Sequence, residues 1–258
     1  MSLENEYKIN KLLKEWPQGT VYLTSWLTKN GFSNQLLNRY KNSNWIESVG
    51  SGAMKRSGDT LSVEGALYAL QEQRGSSIHL GGKTALSMLG RAHYLAFSAR
   101  RITLFGNAKE KLPLWFIDYK WEAELDYYST SFLPDQLGIV THELINFNIQ
   151  ISGAARAMME CLYLAPQKQD LIECYELMEG LNNLRPNIVQ QLLEECSSIK
   201  VKRLFLYMAE KAQHPWVRYV EMQKIDLGKG NRSLVENGIY VSKYQITVPK
   251  ELEHYGTL

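Results

Sequence analysis

Residues 20–56 read TVYLTSWLTKNGFSNQLLNRYKNSNWIESVGSGAMKR, and the punctuation of this stretch decides the fold of the N-terminal part. Val21-Tyr22-Leu23 is a short β-rich run. Thr24 stands where a hydroxyl can accept from a first-turn N–H, so a helix is expected over 25–30 with Thr24 as its cap. Gly31 ends that helix, because glycine enters the left-handed conformation past a C-terminus without steric cost. Ser33 is the expected cap of a second helix. There Leu36, Leu37 and Tyr40 share one face, while Gln35, Asn38, Arg39 and Asn42 recur on the opposite one. Two helices joined by a three-residue turn containing glycine make a helix-turn-helix.

The polar face carries side chains suited to base edges: glutamine and asparagine pair two-point with adenine, arginine with guanine. Trp45 to Val49, the turn Gly50-Ser51-Gly52, and Ala53 to Arg56 then predict a hairpin with a basic outgoing strand, as in a winged helix. From Pro17 to Arg56 the cations Lys29, Arg39, Lys41, Lys55 and Arg56 stand against Glu47 alone. A solvated amphipathic helix pair followed by a hairpin would carry the same pattern. The contact logic of nucleic-acid readers favours DNA.

Upstream, Ile9, Leu12, Leu13 and Trp16 form the apolar stripe of a helix over 4–16, stopped by Pro17 and Gly19. Downstream, Ser62 caps a helix with Val63, Ala66, Leu67 and Leu70 on one face, ending near Arg74-Gly75. A strand is expected over 78–80 and a helix over 85–94. Gly81-Gly82-Lys83-Thr84 between them is no P-loop: the position five before the Gly-Lys pair, which should be glycine, is Ser77. A helix N-terminus behind two glycines can still hold an anion, but a structural role for Gly81 and Gly82 is the expectation. Further on, short strands are expected over 101–106, 114–120, 127–132 and 142–147.

A helix capped by Ser152 follows, with Ile151, Ala155, Met158, Met159 and Leu162 as its apolar stripe. Further helices are expected over 169–181, 186–196 and 199–213, the last turning Val201, Leu204, Phe205 and Met208 inward. Asn237-Gly238 reads as the turn of a hairpin between 232–235 and 239–248. The expected architecture is α+β in two domains. A winged helix-turn-helix domain with trailing helices spans 1–94 (core 17–57), and a mixed α/β domain spans 95–258.

Composition narrows the function classes. Hydrophobic residues are 45% and charged residues 22%, ordinary for a globular core, and the formal net charge is +2. Nucleic-acid affinity therefore has to come from local patches, which argues against histone-like binding. Cys161, Cys174 and Cys196 form no CxxC pair and suit buried thiols in a reducing cytosol. The amphipathic N-terminus lacks a signal-peptide core, and no apolar run has membrane-spanning length, so a cytoplasmic location is expected.

No site for chemistry stands out. His79, His93, His142, His214 and His254 lack zinc-ligand spacing. Glu122, Glu124 and Asp126 alternate and would project from one face of a strand, where they could hold a metal or simply face water. An enzyme acting on nucleotides or RNA would rest on these three acids. No nucleophile motif is present, and no metal, cofactor or catalytic residue is expected. Lys200, Lys202 and Arg203 open a helix, where the macrodipole disfavours cations. Either Glu194 and Glu195 neutralise them, or they join Lys224, Lys229 and Arg232 in a second basic surface for an acidic partner or nucleic acid.

Together with the winged helix, several stretches resemble the AbiEi family of type IV toxin–antitoxin antitoxins, which are also transcriptional regulators. They are ALYALQEQ from Ala66, IHLGGKTALSMLGRAHYL from Ile78, ISGAARAMMECL from Ile151, LNNLRPNIVQQLLEECSSIKVKRLFLYMAE from Leu181, and DLGKGNRSLVENGIYVSKYQITVP from Asp226. At the helix start the family pattern is nearer Ser-Pro-Glu-Arg-Ala; here Arg156 and Ala157 match, and the proline and glutamate are absent. The resemblance implies a winged helix that binds inverted repeats in its own promoter, two copies per operator, and represses a toxin operon. It also implies a C-terminal antitoxin domain opposing a nucleotidyltransferase-like toxin without a stable complex. By position, the implied DNA contacts are Ser33, Gln35, Asn38 and Arg39 on the second helix, with Ser51, Lys55 and Arg56 in the wing. Lys200, Lys202, Arg203 and Arg232 are the implied candidates for an antitoxin surface. The alternative is a protein-interaction module whose winged helix no longer binds DNA.

Overall fold

A computed structural model describes residues 3–91 and 101–255, with side chains from residue 8 onward. In chain order the elements begin with α1 (Leu3–Glu15), β1 (Tyr22–Leu23), α2 (Thr24–Lys29), α3 (Asn34–Asn42), β2 (Ile46–Gly50), β3 (Ala53–Arg56) and α4 (Val63–Tyr68), which runs into a π turn, Ala69–Gln73. Next come β4 (His79–Leu80), α5 (Gly82–Met88), β5 (Arg101–Gly106), α6 (Leu114–Asp118), β6 (Glu124–Ser129), β7 (Ile139–Glu143) and β8 (Asn148–Ser152). The rest is α7 (Ala154–Leu164), α8 (Leu171–Glu179), α9 (Pro186–Glu195), α10 (Ile199–Lys211), β9 (Arg232–Ser233), β10 (Ile239–Val241), β11 (Ile246–Val248) and α11 (Lys250–His254). Two compact units divide the chain: Met1–His79 with Lys109–Glu124 and Thr141–Gln150, and Leu80–Ala108 with Leu125–Val140 and Ile151–Leu258.

The first unit has winged helix-turn-helix topology. Its antiparallel sheet has the order β1-β3-β2, with Ile46 opposite Arg56, Glu47 opposite Lys55, and a one-residue bulge between Ser48 and Gly50. Ile9, Leu12, Trp16, Tyr22, Leu27, Leu36, Leu37, Tyr40, Ile46 and Met54 form its core, so the apolar stripes of the sequence meet as expected. Tyr22 lies 4.2 Å from Trp16 and 4.9 Å from Trp26 between ring centroids. Burial, with lesser contributions from Tyr68 and Glu15, pushes the Tyr22 phenol up to about 12.

In the first unit the expected helix caps hold with one exception. Gly31, at φ +85°, donates to the Thr28 carbonyl at 3.2 Å while Phe32 N–H reaches Leu27 O at 3.0 Å, the paired closure of a left-handed C-cap. Ser33 caps α3, its hydroxyl accepting from Leu36 N–H at 3.3 Å, and Ser62 caps α4 through Gly65 N–H at 3.2 Å. Thr24 is not a cap. Its own N–H donates across to Gly52 O at 2.9 Å, which sets it at the first helical position, and Leu23 precedes the helix with no side-chain cap bond.

The π turn after α4 has a specific use within this unit. Gln73 Oε1 accepts from Leu23 N–H at 2.7 Å and its Nε2 donates to Val21 O at 2.9 Å. A side-chain amide thus fills the outer edge of β1 as a neighbouring strand would. Gln71 does the same for Gln150, accepting from its N–H at 2.8 Å and donating to its carbonyl at 2.9 Å.

The second unit is built on helices. α7, α8, α9 and α10 contribute Met158, Met159, Leu162, Leu177, Leu192, Val201, Leu204, Phe205 and Met208 to one continuous core. Leu80 of β4 pairs in parallel with Ile151 of β8. A buried carboxylate ties this unit together. Glu160 accepts from Ser152 Oγ at 2.8 Å, Gly82 N–H at 2.9 Å and Arg156 Nε at 2.9 Å, while Arg156 Nη1 also reaches Leu137 O at 2.7 Å. An unpaired carboxylate at such a depth would be strongly destabilising, so the pair and its hydrogen bonds form as a set.

Several sequence expectations are corrected. Residues 114–120 are not a strand: Leu114–Asp118 is a helix entered from Pro113, and Trp115 and Phe116 are its buried side. Of the strand expected over 142–147 only His142 and Glu143 are extended, as the end of β7, and 144–147 is the turn into β8; the strand expected over 127–132 runs from Glu124 to Ser129. α5 begins at Gly82 and ends at Met88, while His93, Tyr94 and Leu95 lie outside the described residues. Ser152 ends β8 rather than capping α7; Gly153 holds the N-cap, because the Ser152 hydroxyl is engaged by Glu160. Asn237-Gly238 is not a hairpin turn. β9 pairs with β11 in parallel, and the antiparallel hairpin is β10–β11, closed by residues 242–245.

Candidate nucleic-acid interface

The helix expected to read DNA is pinned on one side and open on the other. Leu36, Leu37 and Tyr40 anchor α3 in the core, while Gln35, Asn38, Arg39 and Asn42 are exposed. Burying each leucine stabilises the helix by about 1.5–3 kcal/mol, enough to hold α3 without help from its polar residues. Ser33, exposed at its N-terminus, uses its hydroxyl on Leu36 N–H. Asn44 at φ +55° turns the chain out of α3, and Trp45 N–H closes on Tyr40 O at 3.0 Å.

The wing differs from its sequence reading. Ser51 is exposed at the tip. Lys55 and Arg56 instead turn back into the unit: Lys55 Nζ donates to Asp59 O at 2.6 Å and lies 3.2 Å from Glu47 Oε2, and Arg56 Nη1 donates to Trp16 O at 3.3 Å. Hydrogen bonds from Ser57, then Gly58 and Lys55, hold the Glu47 carboxyl below its ordinary range. The basic outgoing strand therefore fastens the wing to the end of α1 and to the 57–59 turn. At its tip the wing is backed by α6, because a Cβ on Gly50 would lie 2.8 Å from Trp115 Cβ. Only glycine admits that approach.

The C-terminal basic residues are mostly internal. Lys202 and Arg203 are 3% and 1% exposed and so form no surface. Arg203 donates to the carbonyls of Leu227, Gly228, Gly230 and Gln245 and to Gln245 Oε1, at 2.7–3.2 Å. Lys200 Nζ donates to Tyr163 O at 2.8 Å and Ala165 O at 2.5 Å, placing a cation at the C-terminal end of α7, where the helix dipole favours it. Burial pulls the Lys200 ammonium below its ordinary value. Carbonyls, not Glu194 and Glu195, are therefore the partners of Lys200 and Arg203. Arg232 alone of the four is exposed.

A family model described as the AbiEi antitoxin N-terminal domain of a transcriptional regulator matches residues 5–97. A second, described as transcriptional regulator, AbiEi antitoxin, type IV TA system, matches residues 99–249. The chain belongs to the AbiEi antitoxin and transcriptional-regulator family. Its fold is similar to a crystal structure of the RV2827C protein from Mycobacterium tuberculosis, with TM-score 0.58 and 12% sequence identity, covering 95% of this chain and 91% of that one. None of the curated proteins compared with the chain matches it.

The family description is that of a regulator, and the features that could have carried enzyme chemistry have other duties. Glu124 and Asp126 lie on β6, Asp126 is 3.5 Å from Arg101 Nη1, and Glu122 precedes the strand. Among the described residues no group of three His, Cys, Asp or Glu side chains could hold a metal ion. Gly82 N–H is taken by the Glu160 carboxylate, so the glycine pair serves the AbiEi core. His214 Nε2 lies 2.7 Å from Met178 O, and His79 Nδ1 lies 2.7 Å from Ser77 O. Cys161, Cys174 and Cys196 are free and buried, and burial pushes all three thiols up, away from nucleophilic thiolate. Among the described residues no helix is long and apolar enough to cross a membrane.

Sequence reasoning missed Glu160, Gln71, Gln73 and the α6 buttress. The i,i+4 spacing of Arg156 and Glu160 could have signalled an ion pair. Nothing local marks the two glutamines, whose bonds to the edges of β1 and β8 reach 50 to 79 residues along the sequence.

Proposed function

We propose that this AbiEi-family chain is a sequence-specific autorepressor that reads inverted repeats in its own promoter, and an antitoxin that opposes a nucleotidyltransferase-like toxin without a stable complex. The observation that carries the DNA reading is the exposed row Gln35, Asn38 and Arg39 on a helix whose other face is locked in the core. Such a row supplies two-point partners for adenine and guanine in the major groove. Ser33 and Ser51 add hydrogen-bonding groups near the phosphates, and one winged helix engages each half-site of the repeat. The organisation proposed is a reader within 1–94 and an antitoxin domain within 95–258, in a cytoplasmic protein.

One observation favours a second reading, an interaction module that has lost DNA binding. Lys55 and Arg56 have partners inside the unit, which leaves the wing short of phosphate anchors. Fluorescence anisotropy on the chain's own upstream DNA and on a scrambled duplex, across salt, separates the two. The regulator predicts a preference of about 10³-fold or more for the upstream duplex. Equal, salt-labile binding to both duplexes would leave only an electrostatic surface. Rescue of growth from the co-encoded toxin, with wild type and Arg39→Ala, tests the antitoxin role separately.

A further inference from the structure

The buried guanidinium of Arg203 lacks a negative counter-charge among its five acceptors. All are amide oxygens: the main-chain carbonyls of Leu227, Gly228, Gly230 and Gln245, and the side-chain oxygen of Gln245. A buried charge is ordinarily paired with its opposite. Here Arg232 adds a second positive charge to its surroundings, and that charge, after burial, is what draws the Arg203 guanidinium below its ordinary value.

The same hydrogen bonds fix the loop above it, Leu227-Gly228-Lys229-Gly230-Asn231-Arg232. A trans peptide holds its C=O and the following N–H on opposite sides. Because the Gly228 and Gly230 carbonyls point down to the guanidinium, the N–H groups of Lys229 and Asn231 point away from it. Gly228 and Gly230 take φ +64° and +79°, the left-handed steps by which successive N–H groups converge on one concave face, as in anion-binding nests. Lys229, Gly230, Asn231 and Arg232 are exposed, and around Gly230 a Cβ would meet nothing within 4 Å. Tyr240 hydroxyl donates to Asn231 Oδ1 at 2.8 Å, and Arg232 N–H donates to Gln245 O at 2.9 Å, so both ends of the loop are held. Asp226 is the nearby acid in the segment, and its Oδ1 accepts Gly228 N–H at 2.8 Å.

We propose that the outer face of the 228–232 loop is a phosphate-binding site, with the Lys229 and Asn231 N–H groups as donors and the Lys229 and Arg232 side chains as clamps over the uncompensated Arg203 charge. Its ligand is a phosphate group, free or carried by a nucleotide. The assignment stands apart from the DNA reading of α3, since none of its residues belongs to the first unit.

The test is backbone amide NMR of the full-length protein titrated with inorganic phosphate and, separately, with adenosine monophosphate. Sodium chloride at matched ionic strength is the control. Saturable shifts of the Lys229, Gly230 and Asn231 amides, weakened at least tenfold in Kd by Lys229→Ala/Arg232→Ala, are expected. Tighter binding of the nucleotide than of phosphate would assign a nucleotide source; equal binding would assign the free ion, and both support the site. Shifts that chloride reproduces, that do not saturate, or that persist unchanged in the double variant overturn it. Both substituted residues are exposed, and unchanged amide shifts elsewhere in the variant spectrum verify that it is folded.

Discussion

α3 and the first turn of α10 both carry closely spaced cations in sequence, yet they put them to opposite uses. On α3 burial is one-sided, so Arg39 stands over solvent beside Gln35 and Asn38. α10 runs through the middle of its unit and is buried on every side from Val201 to Ala209, so Lys202 and Arg203 go inside with the leucines. There Arg203 gathers backbone carbonyls from segments 24 to 42 residues away. A cation on a helix is thus a reader or a staple according to whether its helix has one packed face or packing all round.

The contrast can be broken by substitution, most strongly at Arg203. Arg203→Ala removes the shared charged donor of four main-chain carbonyls, and the expected loss is about 3 kcal/mol, read from the urea midpoint. A loss under about 1 kcal/mol would return Arg203 to the surface class. On α3 the expectation reverses. Arg39→Ala should leave stability within about 0.5 kcal/mol and weaken operator binding by about 1–3 kcal/mol, measured by anisotropy at fixed salt. Between these lies Ser33→Ala, which removes the α3 cap and should lower thermal stability by about 1 kcal/mol.

The buried unit also has a pH signature. Burial lowers the His214 pKa, against a smaller opposing effect of the Met178 carbonyl, so the folded protein takes up a proton at lower pH than the unfolded chain does. Stability is therefore full above about 6.5, falls as pH drops below that value, and levels off under the folded pKa. His214→Gln should flatten the change in urea midpoint between pH 7.5 and 5.5. The smallest effect belongs to Lys55→Ala. Because Lys55 is held by Asp59 and Glu47, the salt slope of DNA binding should stay unchanged, whereas loss of a phosphate contact would reduce it by about 1.

What the sequence disclosed was periodic or local. The stripes Ile9/Leu12/Trp16, Val63/Ala66/Leu67/Leu70 and Val201/Leu204/Phe205/Met208 are buried as their spacing predicts. Gly31 and Ser33 end and start their helices, because capping depends on residues within one turn. Short apolar runs were misread: LWFID at Leu114 fits a strand or a buried helical turn equally by periodicity, and Pro113 before it was the stronger signal. The Asn-Gly turn at 237–238 misled because β11 pairs with β9 as well as β10, a choice set by packing rather than by the turn. On the candidate interface, the orientation of Gln35, Asn38 and Arg39 was legible from helical phase. The inward turn of Lys55 and Arg56 was not, since Asp59, Glu47 and Trp16 had first to be brought around them.

The side-chain amide of Gln73 along the edge of β1 bears on anyone wishing to transplant the reader into another protein. A cassette cut at residues 17–57 would carry away α3 and the wing but leave behind Gln73, Trp115 and all of α1. The cut piece would expose the Val21 carbonyl and Leu23 amide, a template for stray strands, and would strip Trp16 from beneath Tyr22. The portable unit is discontinuous in sequence. A functional graft has to bring the π turn and the 109–121 segment with it, or supply a designed strand and a designed aromatic in their place.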